Sequence, residues 1–400
     1  MKIGIVTTWF ERGAAYVSRQ YMKLLERNNN VFIYARGGEK YAKNNKEWNL
    51  PNVTWGKKAL FQTNGTPINK LDFSRWIKSN KIDIILFNEQ QWWPPIIWAK
   101  ELGVIVGSYI DYYTEETVPL FEVFDFLICN TERHFSVFDW HKQCFYVPWG
   151  TDVELFKPRR KREIDKDKVV FFNSSGYNPE RKGVYPLLKA FYSLKEDNKK
   201  LILHSQVDLR RYYKDIAFMV DELQGNGQLE IINETVGAPG LYHLADVYCY
   251  ISKLDGIGLT LPEAISCGLQ AIVPDNAPMN EFVKEGVNGQ LVKVDRFFRR
   301  KDAYYWPNCD VNIDDLIKKM SFYLENYDKI EQLKETSRKY ALEKLNWSDR
   351  SSLIGEIFDN IEKTAINRKL QKAIYSYELS RRTLKDIMLY PYFLFKTLKR

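Results

Sequence analysis

The strongest constraint on this chain is the order of its apolar segments, in which short runs rich in Val, Ile and Phe alternate with helical patterns from end to end. KIGIVTT (2–8) reads as a buried strand and AAYVSRQYMKLLER (14–27) as the helix after it. NVFIYAR (30–36), IDIILFN (82–88), VIVGSYI (104–110), DFLICN (125–130) and CFYVPW (144–149) read as further strands. Strand–helix alternation of this kind predicts parallel α/β sheets covered on both faces. A charged, Pro-containing linker, KPRRKREIDKDK (157–168), precedes a second series: VVFFNSS (169–175), KLILHSQ (200–206), QLEIIN (228–233), DVYCYIS (246–252) and QAIVP (270–274). YPLLKAFYSLKE (185–196) and APGLYHLA (238–245) are the expected helices between them. Four hundred residues are ample for two such domains. No G-x-G-x-x-G follows the first strand, so a dinucleotide fingerprint is not expected.

Charge and cysteine usage narrow the function classes. Five scattered cysteines without a C-x-x-C pair fit reduced thiols better than a disulfide framework or a zinc site. The apolar N-terminal run is too short for a signal peptide, and no stretch reaches the eighteen apolar residues of a membrane span. The net charge of +8 is concentrated at the end of the chain, where residues 367–400 hold nine Lys or Arg against Glu378 and Asp386. Ile387, Met388, Leu389, Tyr390, Tyr392, Phe393, Leu394 and Phe395 interleave with those cations. That composition is read first as contact with a membrane surface and second as a helix packed on its own domain; nucleic acid is not the expected partner. The D-x-D triplet Asp165–Asp167 lies among lysines and arginines and reads as surface charge, so no metal site is expected there.

The chemistry concentrates in DGIGLTLPEAISCG (255–268). Gly256 and Gly258 permit a tight turn at positive φ, and LTLPEAIS reads as a helix opening with Pro262 in its first turn. A helix start offers unpaired N–H groups to an anion. Asp255 and Glu263 flank it with seven residues between them. A ligand with phosphate in the middle and hydroxyls at both ends, such as a nucleotide sugar, matches that pattern.

This segment resembles the retaining glycosyltransferases of family 4 (glycosyl transferases group 1), whose signature is Glu, seven residues, Glu in the form EGFGL…EA; Asp255 stands where the family has its first Glu. CGLQAIVPDNAPMNEFVKEGVNGQLV (267–292) and NSSGYNPERKGVYPLLKAF (173–191) extend the likeness, and VPWGTDVELFKP (147–158) resembles the family's inter-domain segment, with Gly150 and Asp152 as turn formers. The resemblance implies a GT-B fold: two Rossmann-like α/β domains facing across a cleft, with C-terminal helices crossing back to the N-terminal domain. The implied divisions are 1–157 for the acceptor domain, 158–345 for the nucleotide-sugar domain, 346–375 for the returning helices and 376–400 for a basic aromatic tail.

The resemblance also distributes roles. Asp255 would contact the donor sugar and Glu263 the ribose hydroxyls, while Lys182 would pair with the diphosphate. Arg181 would stand in for an arginine that the family places where this chain has Tyr177. Gly258, Leu259 and Thr260 would offer backbone to the phosphates, as would Gly13 from the N-terminal domain. The family's histidine after the fourth strand is absent, since His134, His141, His204 and His243 all lie elsewhere. Asp111 occupies that region, either touching sugar or acceptor or capping its own loop. Trp9, Phe10, Arg12, Trp92 and Trp93 fit either an acceptor surface or ordinary core. The implied activity is metal-independent, retaining transfer of a sugar from a nucleotide diphosphate to an acceptor hydroxyl. With the basic tail, a lipid-linked saccharide at the cytoplasmic membrane face is the expected acceptor, in cell-surface polysaccharide assembly. A sugar-nucleotide epimerase and a non-catalytic partner subunit are the competing readings.

Overall fold

The computed structural model describes residues 1–59, 65–159, 165 and 167–382, and the chain divides into two compact units. The first joins Met1–Val147 with the chain from Leu353 onward, and the second is Pro148–Ser352.

The first unit is built on a seven-stranded, wholly parallel sheet: β1 (Lys2–Thr7), β2 (Asn30–Ala35), β3 (Val53–Trp55), β4 (Ile84–Asn88), β5 (Ile105–Tyr109), β6 (Phe126–Cys129) and β7 (Cys144–Tyr146). The order is β3-β2-β1-β4-β5-β6-β7, so the winding reverses between β1 and β4. β1 is central and buried along nearly its whole length, as its unbroken apolar run requires. Buried Asp125 ties the returning chain to this unit. It accepts hydrogen bonds from Lys100 Nζ (2.7 Å), Val106 N (2.7 Å) and both N and Oγ1 of Thr364 (2.7 Å each). Glu378 accepts from Trp93 N at 3.0 Å and fixes the last described helix, Arg368–Ser380.

The second unit carries a six-stranded parallel sheet: β8 (Val169–Gly176), β9 (Lys199–Ser205), β10 (Leu229–Ile232), β11 (Val247–Cys249), β12 (Gln270–Pro274) and β13 (Gly289–Val292). Its order, β10-β9-β8-β11-β12-β13, reverses between β8 and β11. Phe171, Leu187, Phe191, Val247, Ile272 and Leu316 are among the side chains that close one face. A separate antiparallel pair, β14 (Val294–Phe298) and β15 (Asn308–Val311), is fastened to the loop after β11: Cys309 N donates to Lys253 O at 2.9 Å, and Asp310 pairs with Lys253 Nζ at 3.3 Å.

Several expectations are corrected. β3 was not expected, so the strand at 105–109 is the fifth and not the fourth. Residues 238–245 form only a short 3-10 turn at Tyr242–Leu244, since Pro239 and Gly240 interrupt any longer helix. Asp165 is not surface charge; it is buried and ion-paired to Lys200 Nζ at 2.9 Å, whereas Asp167 is exposed. The chain from 346 onward makes short helices, Trp347–Arg350 and Ile354–Asn360, before Arg368–Ser380, and the division drawn at 375/376 falls inside that last helix. The aromatic stretch 387–395 lies outside the described residues. Among the described residues no helix is long and apolar enough to cross a membrane.

Candidate functional site

In an open α/β sheet, ligands bind beyond the carboxyl ends of the strands where the winding reverses. In the second unit two loops leave that point, 177–183 after β8 and 250–259 after β11. They are zipped together, with Lys253 N donating to Arg181 O at 2.8 Å. Gly183 sits at φ +65, and a Cβ there would lie 1.9 Å from Ile251 O. Only glycine lets the helix Val184–Ser193 start so close to the second loop.

The zipper brings Arg181, Lys182 and Asp255 together. Asp255 Oδ1 accepts from Arg181 Nη1, and Oδ2 accepts from Lys182 Nζ (2.9 Å), Tyr250 Oη (2.6 Å) and Ser252 Oγ (2.5 Å). Burial on its own would raise the Asp255 pKa, but Lys182, Arg181 and the two hydroxyls hold the carboxyl well below the usual carboxylate range. Burial acts on Lys182 in the opposite sense and lowers it to about 8, against the pull of Asp255. Lys182 Nζ also donates to Tyr250 Oη at 2.7 Å and stands 4.4 Å from its ring centroid.

Glu263 lies one step along the same edge, in the first turn of the helix Thr260–Ser266. Burial pushes its carboxyl up to about 7, although the Tyr242 hydroxyl donates to it at 2.7 Å. Tyr242, Tyr248 and Tyr250 form a ladder with ring centroids 5.8 and 5.6 Å apart, linking Glu263 at one end to Asp255 at the other. Thr260 joins it by accepting from Tyr248 Oη at 2.9 Å. These tyrosines were not singled out from the sequence. Their signal was there: Tyr248 and Tyr250 are two apart in the run DVYCYIS (246–252) that reads as a strand, which puts them on one face. The turn before the helix is corrected in one respect, because of its two glycines only Gly258 has positive φ, +86. The helix has seven residues and no side-chain cap at its start, and Leu261 N already donates to Gly258 O at 2.9 Å.

The remaining expected residues belong to the first unit. Gly13 opens the helix Gly13–Leu25 beyond the carboxyl end of β1, again without a side-chain cap. Asp111 follows β5 and is half-buried. Trp9 is core, its indole N–H donating to Trp48 O at 2.7 Å, and Trp93 is buried against Phe121. Trp92 is half-buried and edge-on to Trp98. Arg12 pairs with Glu89 at 3.1 Å. Among the described residues no group of three His, Cys, Asp or Glu side chains is placed to hold a metal ion.

The two Rossmann-like units are those of the GT-B glycosyltransferase fold, and residues 156–297, which carry the whole Arg181–Glu263 edge, match the family model described as glycosyl transferases group 1. The likeness extends to individual proteins. The uncharacterized glycosyltransferase MJ1607 of Methanocaldococcus jannaschii is 25% identical over 227 residues, 55% of this chain and 50% of that protein. The match thus spans about half the length of that relative. Anabaena Alr3699/HepE, solved in complex with UDP and glucose, is similar in structure with a TM-score of 0.69 and 15% identity, covering 90% of this chain and 100% of that one. WaaG, a glycosyltransferase involved in lipopolysaccharide biosynthesis, gives 0.62 and 15% over 89% of this chain and 99% of its own.

Proposed function

We propose that this chain is a retaining glycosyltransferase that moves a sugar from a nucleotide diphosphate to an acceptor hydroxyl. The observation that carries the reading is the meeting of Arg181 and Lys182 with one carboxylate, Asp255, where the second sheet reverses. Departure of the nucleotide builds negative charge on the β-phosphate, and a fixed cation there stabilises the transition state more than the ground state. Arg181 and Lys182 supply that charge from side chains, which supports a metal-independent reaction. Glu263 is the group for the ribose hydroxyls, and Gly258, Leu259 and Thr260 border the phosphates.

Asp255 is a poor nucleophile, because four donors stabilise its charge. That supports same-face displacement, in which the leaving phosphate takes the acceptor's proton. In our reading the acceptor is a lipid-linked saccharide at the cytoplasmic face of the membrane, within cell-surface polysaccharide assembly. Two features support it: the cations of 367–400, and the outward Leu379, 63% exposed on the last described helix.

A thermal-shift screen of UDP-, GDP- and ADP-sugars tests the donor reading, since a bound donor stabilises in proportion to the logarithm of its concentration over Kd. One nucleotide series is expected to raise Tm and to release nucleoside diphosphate when a saccharide acceptor is supplied. No stabilisation by any series, with no release, contradicts it.

A further inference from the structure

We propose that Asp255 is a stand-in anion for Arg181 and Lys182, from which a diphosphate takes both cations, so that both positions of Asp255 Oδ1 open to a sugar's hydroxyls only after the diphosphate has bound. This rests on the nucleotide-sugar reading above and concerns the order in which the groups of that site become available.

A carboxylate offers about four acceptor positions. Arg181 Nη1 holds one of those on Oδ1, while Lys182 Nζ, Tyr250 Oη and Ser252 Oγ crowd Oδ2, and the side chain is only 13% exposed. Oδ2 has no position left for a sugar hydroxyl, and Oδ1 is shared with the Arg181 guanidinium until that donor leaves. The four donors are of two kinds. Tyr250 and Ser252 are buried, neutral and within five residues of Asp255 on the same segment. Arg181 and Lys182 come from the other loop, carry charge, and are 36% and 14% exposed in their side chains.

A diphosphate is the ligand for which these two cations exchange a carboxylate. It carries more charge over more oxygens, and its geometry suits the planar fork of a guanidinium. Tyr250 makes the exchange tolerable for Asp255. Its hydroxyl accepts from Lys182 while donating to Oδ2, so it keeps its bond to Asp255 when Lys182 departs. Asp255 is then held by two hydroxyls and has two positions open. Tyr250 is thus a positioning residue. In the empty site the same arrangement keeps two half-buried cations paired, which avoids leaving either one uncompensated.

Inorganic pyrophosphate, which has neither base nor sugar, isolates the exchange. It is titrated calorimetrically into the full chain and into Asp255→Asn at pH 6.5, below the pKa of about 8 that Lys182 has beside Asp255, and again at pH 5.5, because the variant's Lys182 loses the upward pull of that carboxylate. The variant is expected to bind about three- to tenfold more tightly, because no ion pair must be broken. Equal or weaker binding by Asp255→Asn overturns the exchange and leaves the diphosphate reading standing, with Asp255 merely holding the cations in place. Absence of binding to both proteins overturns the exchange and the diphosphate reading together. If Asp255→Asn does not fold, a structure of the wild-type chain with pyrophosphate decides. Lys182 Nζ more than ~4 Å from Asp255 and bonded to phosphate supports the exchange, whereas persistence of the 2.9 Å contact overturns it.

Discussion

The molecule contains two places where a parallel sheet reverses its winding, and they are filled differently. At the β8/β11 point two cations, Arg181 and Lys182, share the single carboxylate of Asp255, which leaves positive charge in excess. At the β1/β4 point each arginine has a carboxylate of its own: Arg12 pairs with Glu89, and Arg36 with Glu39. Arg36 is further fixed by donating to Asn88 O at 2.6 Å, and Asn88 Nδ2 donates to Ala14 O (2.8 Å) and Ser18 Oγ (2.7 Å). The same topology therefore yields one edge with positive charge in excess and another that is balanced and held by amides and hydroxyls. Topology says where a ligand can bind, and charge balance says of what kind.

The largest expected effect comes from removing a cation at the unbalanced edge. Lys182→Ala should lower the turnover of the nucleotide sugar about 10²- to 10³-fold, the usual consequence of losing one group that stabilises developing charge. Steady-state kinetics with the stabilising donor check it, and a loss confined to KM would break the contrast. Asn88→Ala addresses the balanced edge. It leaves the Ala14 carbonyl and Ser18 without their buried donor, so it should cost about 2 kcal/mol of stability in urea unfolding, with donor affinity unchanged. A large loss of donor affinity in this variant would show that the two edges do not divide the work by charge.

A further effect is a pH dependence. Folded Glu263 keeps its proton up to about pH 7, while an ordinary Glu releases it near 4.5. The stability linked to this group is full below 4.5 and is lost as the pH climbs through 7. Glu263→Gln cannot titrate, so its Tm relative to wild type should rise between pH 5 and 8 by roughly 5 °C. An identical difference at pH 4 and pH 8 would contradict a buried, proton-holding Glu263.

Much of this was legible in the chain because parallel strands buried on both faces leave apolar runs, and QAIVP marks β12 residue for residue. The pairing of Arg181 with Asp255 was harder to see. Residues 73 positions apart and more meet only because Gly183 allows two loops to touch. Short elements held by remote partners left no local pattern: β15 is fastened by Lys253, and Asp165 is buried by Lys200 in the midst of a linker that reads as solvated charge. β3, with three half-buried residues, has too few positions for any period to emerge. The tyrosine ladder reads as ordinary aromatic core until the sheet order places β11 at the reversal.

Hydrogen exchange of the full chain, with and without the nucleotide sugar that most raises Tm, tests the central claim most directly. The account predicts added protection across 177–183 and 250–263, the loops that carry Arg181, Lys182, Asp255 and Glu263. Protection confined to the loops after β1 and β4, with 250–263 unchanged, would contradict it.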